Sequence, residues 1–148
     1  MREIEFRAKK TENGKWVYGY YHKLNESFEN KDCILEHHRN TSTIIDITTL
    51  GQYTGLKDKN GTKIFEGDIV KTYHGNGKVV YSQQYALFGY IMLEKDNAEK
   101  EYDYRFTDVV IEDGIEVVGN IYDNPELLEV DNENWICLGY TKRWWKVF

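Results

Sequence analysis

Proline occurs once in this chain of 148 residues, at Pro125, and cysteine only twice, at Cys33 and Cys137. Two thiols far apart in sequence do not make a disulfide scaffold and fit a reducing compartment. Alanine is scarce, which removes much of the material from which helices are usually built. No apolar run approaches the roughly 20 residues that a membrane helix needs, so no membrane span is expected. The start, Met1-Arg2-Glu3-Ile4-Glu5-Phe6, alternates polar and apolar residues and does not read as a signal peptide. A cytoplasmic location is the expectation. Positive charge is also short. At a formal net charge of −6 the chain repels a phosphate backbone unless its basic residues cluster.

What the chain has in quantity is aromatic residues, tyrosine above all, with 12 Tyr, 6 Phe and 4 Trp. Together with Val and Ile these suit pleated, half-buried surfaces, so the composition leans towards sheet. The length suits one domain with a modest appendage, large enough to fold without a metal or a disulfide.

The local pattern agrees. Ile4, Phe6 and Ala8 alternate with charged residues, Asn13-Gly14 follows, and Trp16-Val17-Tyr18-Gly19-Tyr20-Tyr21 comes next. Asn-Gly between two β-rich runs is a strong hairpin signal, so residues 3–22 read as a hairpin. Residues 23–32 are polar and read as a loop. Cys33-Ile34-Leu35 and Ile44-Ile45 read as short strands. Asp58 to Gly61 is a turn headed by an Asp able to bond the backbone two residues on. Gly67-Asp68 makes a second turn, and His74-Gly75-Asn76-Gly77 a third. Strands are expected at 69–73, 78–81, 87–93, 105–111 and 115–118, and a short helix at Asn124-Pro125-Glu126-Leu127-Leu128, with Asn as cap and Pro first. Many short strands with turns between them and almost no helix argue a small barrel or sandwich, most compact from about Thr48 to Leu128.

Four stretches carry a resemblance. They are Arg2-Glu3-Ile4-Glu5-Phe6-Arg7-Ala8; Gln52-Tyr53-Thr54-Gly55-Leu56-Lys57-Asp58-Lys59-Asn60-Gly61; Ile64-Phe65-Glu66-Gly67-Asp68-Ile69-Val70; and Val117 through Asn124-Pro125-Glu126-Leu127-Leu128. In this order and spacing the chain resembles the YopX-like family of bacteriophage and prophage proteins, over about 1–129. The resemblance implies a β-rich fold with an SH3-like barrel and a phage or prophage source, hence a bacterial host cytoplasm. It implies no reaction. The expected architecture is therefore mainly β with little helix: an N-terminal β-hairpin region over 1–47, an SH3-like small barrel over 48–129, and an aromatic, basic extension over 130–148, all of which could form one compact unit. Most relatives end near the Asn-Pro-Glu-Leu-Leu segment, whereas this chain continues.

Candidate chemistry is thin. Cys33, His37 and His38 lie close together, but a closed zinc site wants four ligands in paired spacings, and a buried thiol beside exposed histidines explains them. No metal and no cofactor are expected. None of the cysteines or the four histidines (His22, His37, His38, His74) sits beside a nucleophile signature, so an enzyme is not expected. The Gly75–Gly77 loop lacks the Lys-Ser/Thr and helix of a phosphate cradle. The acids between Glu94 and Asp103 interleave with lysines and read as a solvated loop. Two binding readings remain. Trp135, Tyr140, Arg143, Trp144, Trp145 and Phe148 form an aromatic and basic tail, whose residue types dominate protein interfaces. That points to a non-enzymatic accessory protein acting through protein–protein contacts and self-association as a homo-oligomer. The alternative is a nucleic-acid-binding small barrel using Lys71, Tyr73, Lys78 and Tyr81, disfavoured by the acidic balance.

Overall fold

A computed structural model describes residues 3–26, 29–37, 39–72, 75–92, 104–105 and 114–128. The protein is mainly β. Among the described residues, ten strands run in chain order: β1 (Phe6–Lys10), β2 (Trp16–Glu26), β3 (Glu29–Glu36), β4 (Ser42–Lys57), β5 (Lys63–Phe65), β6 (Asp68–Thr72), β7 (Gly75–Ser82), β8 (Leu87–Met92), β9 (Tyr104–Arg105) and β10 (Glu116–Asn120). One 3₁₀ helix, Pro125–Leu128, follows the last of them. No helix among the described residues is long and apolar enough to cross a membrane.

The strands form two antiparallel sheets, ordered β1-β2-β3-β4-β5 and β10-β6-β7-β8-β9. In the first, β1 pairs with both β2 and β4, and β3 also pairs with both. Those four strands return on themselves as a ring, which removes the free edges that would invite pairing with another chain. Barrel-like closure is thus partial. It is found in β1–β4, while β5 extends the sheet from β4 and the second sheet is open among the described residues. The strand β4, 16 residues long, runs without interruption through residues 47 and 48 and serves both halves of the molecule.

Among the described residues, two clusters make the core. Ala8, Val17, Ile34 and Ile45 fill the ring, with Phe6, Tyr21 and Leu50 against them. Ile64, Val70, Val79, Tyr90 and Ile115 form the second, joined by Leu56, Phe88 and Val117. The first hairpin turns where expected. Gly14 adopts a φ of 67°, and Asn13 accepts a hydrogen bond from the Lys15 amide at 3.0 Å. Asn and Gly are the residues that tolerate this geometry.

Residues 23–26 and 29–32 depart from the loop expectation. The β2–β3 ladder continues through Lys23↔Asp32 and Leu24↔Lys31 to Glu26↔Glu29. A ladder is held by backbone groups, so polar side chains on solvated faces do not end it. The short strand expected at Ile44-Ile45 is likewise the start of the long β4. Most of the strand expected at 105–111 lies outside the described residues.

Candidate binding site

The outer face of the ring near β1 and β2 packs against the β5–β6 turn, and a cavity of about 240 Å³ opens there. Arg7 on β1 and Tyr18 on β2 are register partners and share this face. Phe65 and Asp68 flank the Glu66-Gly67 turn, where Gly67 takes a φ of 81° and its amide donates to the Val79 carbonyl at 3.0 Å. A side chain at that φ would be strained, so glycine sets the turn that aims Phe65 and Asp68 back at β1. Glu5 and Lys63 complete the charged wall, and Thr62 and Val117 the remainder.

At its base is a buried ion pair. Arg7 Nη2 stands 2.5 Å from Asp68 Oδ1, with side-chain exposures of 8% and 1%. The Arg7 guanidinium lies 4.7 Å from the Trp16 ring centroid and 5.0 Å from that of Phe65, so aromatic faces cover it on two sides. The other carboxylate oxygen of Asp68 accepts the Phe65 amide at 2.7 Å. Nε and Nη2 of Arg7 and Oδ1 of Asp68 are shielded from solvent, and Nη2 and Oδ1 meet each other. The short Nη2–Oδ1 approach is a charge-assisted contact inside a dry site. Burial pushes the Asp68 carboxyl above the usual aspartate range, and the Arg7 charge only partly opposes it.

Beside this pair, Lys63 donates to Glu3 at 2.7 Å and to Glu5 at 2.6 Å. Both bonds hold its ammonium above the ordinary lysine value. The other oxygen of Glu5 lies 3.1 Å from His37 Nε2, and the His37 ring meets Tyr20 edge-on at 4.6 Å. His37 and Glu5 also line a second hollow of about 400 Å³ with Trp16, Glu36 and Arg39. Asp58 braces the cavity from behind. It accepts the amides of Asn60 at 2.9 Å, Thr62 at 2.8 Å and Val117 at 3.0 Å. Burial raises the Asp58 pKa, but these amides outweigh it and leave the carboxyl below its ordinary value.

The residues proposed for nucleic acid do not gather. Lys71 pairs with Asn76 and Ile69 with Lys78, which puts both lysines on one face of the second sheet. Tyr81 alternates to the other face, where its ring packs on Phe88 at 5.0 Å and stays 43% exposed. Tyr73 lies outside the described residues. So do Trp135, Tyr140, Arg143, Trp144, Trp145 and Phe148, as well as His38, His74 and Cys137. Cys33 is buried in β3, while His37 reaches Glu5 instead, and no group of three metal-ligating side chains occurs among the described residues.

The alternation of Ile4, Phe6 and Ala8 leaves Arg7 to solvent, which is why it missed Arg7; in the structure Ala8 is buried and Phe6 packs against the ring core, but Ile4 precedes β1 and is 54% exposed. The opposite face of β1 is buried as well, so the rule of one wet side fails there. The available signal was different. Arg7, Phe65, Asp68 and Val117 all come from the stretches that carry the family resemblance, and those stretches converge on this cavity.

No curated protein matches the chain. Among solved structures, protein EF1440 from Enterococcus faecalis is similar, with a TM-score of 0.53 and 29% sequence identity, covering 87% of this chain and 100% of that one. Its description names no activity. The family model described as YopX protein matches residues 5–129, the span that contains every described strand and the whole cavity, and the chain belongs to that family.

Proposed function

We propose that this YopX family member is a non-enzymatic accessory protein of phage or prophage origin, acting in the host cytoplasm through protein–protein contacts that include self-association. One observation carries the reading. Tyr18 and Tyr20 on β2, Leu35 on β3 and Ile44 on β4 share the outer face of the ring through the pairs Tyr20↔Leu35 and Cys33↔Ile44. Tyr18 is 44% exposed, Tyr20 53% and Ile44 41%. Large apolar groups left exposed together on one sheet face are a mark of a docking surface. Tyrosine is also enriched among the residues that dominate interfaces.

Sedimentation across a concentration series tests this, with Tyr20→Glu and Ile44→Glu as variants. Both sites are exposed, so the fold should survive the added charge. The wild type is expected to associate and the double variant to stay monomeric. A wild type that remains a monomer throughout, or a variant that associates equally well, overturns the reading. A nucleic-acid role would rest on Lys71 and Lys78 without Tyr81. Labelled DNA and RNA are expected to migrate unchanged at low salt, where electrostatic binding is strongest.

A further inference from the structure

Trp16, Tyr18 and Tyr20 occupy alternate positions of β2, so their side chains stand in a row on one face of the ring. At the Trp16 end, the Asp123 carboxylate accepts the indole N–H at 2.7 Å, and the Tyr122 ring lies 5.8 Å from that of Trp16. The last described helix, Pro125–Leu128, begins two residues later. At the other end the row opens towards Leu35 and Ile44, and both Tyr20 and Ile44 are exposed. Beside the row lies the hollow of about 400 Å³, whose walls include Trp16, Tyr18, His37 and Arg39. That volume falls within the roughly 300–1,000 Å³ of pockets that take an organic group.

Charge in the hollow is already answered. Lys10 donates to Glu36 at 2.8 Å and Lys63 to Glu5 at 2.6 Å, so neither carboxylate calls for a further cation. An aromatic side chain enters without leaving an ion unpaired, and Arg39 on the wall offers a guanidinium to stack on it. The chain carries such side chains directly beyond the described helix, at Trp135, Tyr140, Trp144, Trp145 and Phe148. All 25 acids lie in residues 1–133 with 16 of the 19 basic residues, so that part carries −9 and residues 134–148 carry +3. Opposite net charges draw the segment towards the body of the protein.

Reach favours the same chain as the source. Leu128 is five residues beyond Asp123 and so within about 18 Å of it. Twenty residues follow, enough to span about 66 Å when extended, whereas the row from Trp16 to Tyr20 covers about 13 Å. A tether this short holds the segment near its own ring at an effective concentration on the order of millimolar, which a second copy matches only in dense solution. We infer that residues 135–148 fold back over the outer face of their own ring and seat aromatic side chains in the hollow beside Tyr18. The face so covered is the one proposed above for self-association, and in that respect the inference rests on that reading: the segment is a cover that a second copy displaces. The docking itself does not require association.

A nitroxide attached to Cys137 reads the docking, since Cys33, the other thiol, is fully buried. The full-length chain is labelled with both nitroxide and isotope, at a concentration where sedimentation finds only monomer. The amide resonances of Tyr18, Tyr20 and Ile44 are expected to broaden, and Tyr20→Glu with Ile44→Glu to remove the effect. Under the same conditions, a mixture of isotope-labelled chains and separate nitroxide-labelled chains is expected to show none. No broadening at this face in the doubly labelled chain overturns the inference. Equal broadening in the mixture assigns the segment to a second copy and overturns it as well. In a second measurement, Trp144→Ala with Trp145→Ala is compared with wild type by sedimentation. Uncovering the face should tighten self-association about tenfold, the order expected when aromatic anchors are lost. Unchanged or weaker association overturns the cover. If neither protein associates while the broadening persists, the self-association reading fails and the docking stands.

Discussion

Replacing Asp58 with alanine strips three backbone amides of their acceptor at once. The carboxylate is buried and receives Asn60, Thr62 and Val117 at 2.8–3.0 Å, tying the 58–62 turn to β10. Asn60 and Thr62 are exposed, so water replaces much of what they lose, at about 0.5–1 kcal/mol each. The Val117 amide lies in a strand beside the second core and is left unsatisfied, at about 1–3 kcal/mol. The sum is about 3 kcal/mol, which for a chain of this size lowers Tm by roughly 6–12 °C. Asp58→Asn keeps one acceptor oxygen and should cost about half.

The pH dependence fixes the cause. Asp58 is held below its ordinary pKa, so the native state binds fewer protons than the unfolded chain near pH 4. Its contribution is complete above the unfolded value and is lost as pH falls through the folded one. Urea unfolding followed by circular dichroism should show the gap between wild type and Asp58→Ala at full size at pH 7 and shrinking below about pH 5. A cost under about 1 kcal/mol at pH 7, or a gap that does not change with acid, would refute the claim that charge-assisted amide bonds hold this brace.

Further outcomes follow from other contacts. Arg7→Met leaves Asp68 buried without its cation and should cost about 3 kcal/mol at pH 7 by urea unfolding. Because Asp68 already titrates above its unfolded value, the folded state binds the extra proton, and stability from this group falls as pH rises through that window. The Arg7→Met deficit should therefore be smaller at pH 5 than at pH 7. Asp123 receives Lys9 at 2.5 Å, Asn120 at 2.9 Å and the Trp16 indole at 2.7 Å, and these hold its pKa at about 2. A carboxylate titration by NMR should find that midpoint. Its stabilisation, present above pH 4 and lost towards 2, should stay under about 1 kcal/mol because the side chain is 41% exposed. Gly51→Ala would drive a methyl group into the Glu66 carbonyl, a backbone atom with nowhere to go, and should cost about 2 kcal/mol by the same urea assay.

Sequence alone settled the class of structure and several of its joints. Tyrosine-rich, alanine-poor composition and turn residues at Asn13-Gly14, Asp58–Gly61 and Gly67-Asp68 specify strands and reversals locally, since φ preferences and side-chain-to-backbone bonds act over a few residues. The family was legible for the same reason, being written in contiguous stretches. What the sequence could not hold was which faces end up dry. Arg7 reads as a solvated residue on an alternating strand until β1 acquires partners on both edges and the β5–β6 turn covers its second face. Lys71, Lys78 and Tyr81 read as one surface until the register places the lysines opposite the tyrosine. Residues 23–32 read as a loop because their side chains are polar, yet a ladder depends on backbone pairing across the hairpin. The cavity exists only where residues 5, 7, 18, 63, 65, 68 and 117 meet, and long-range packing alone decides that meeting.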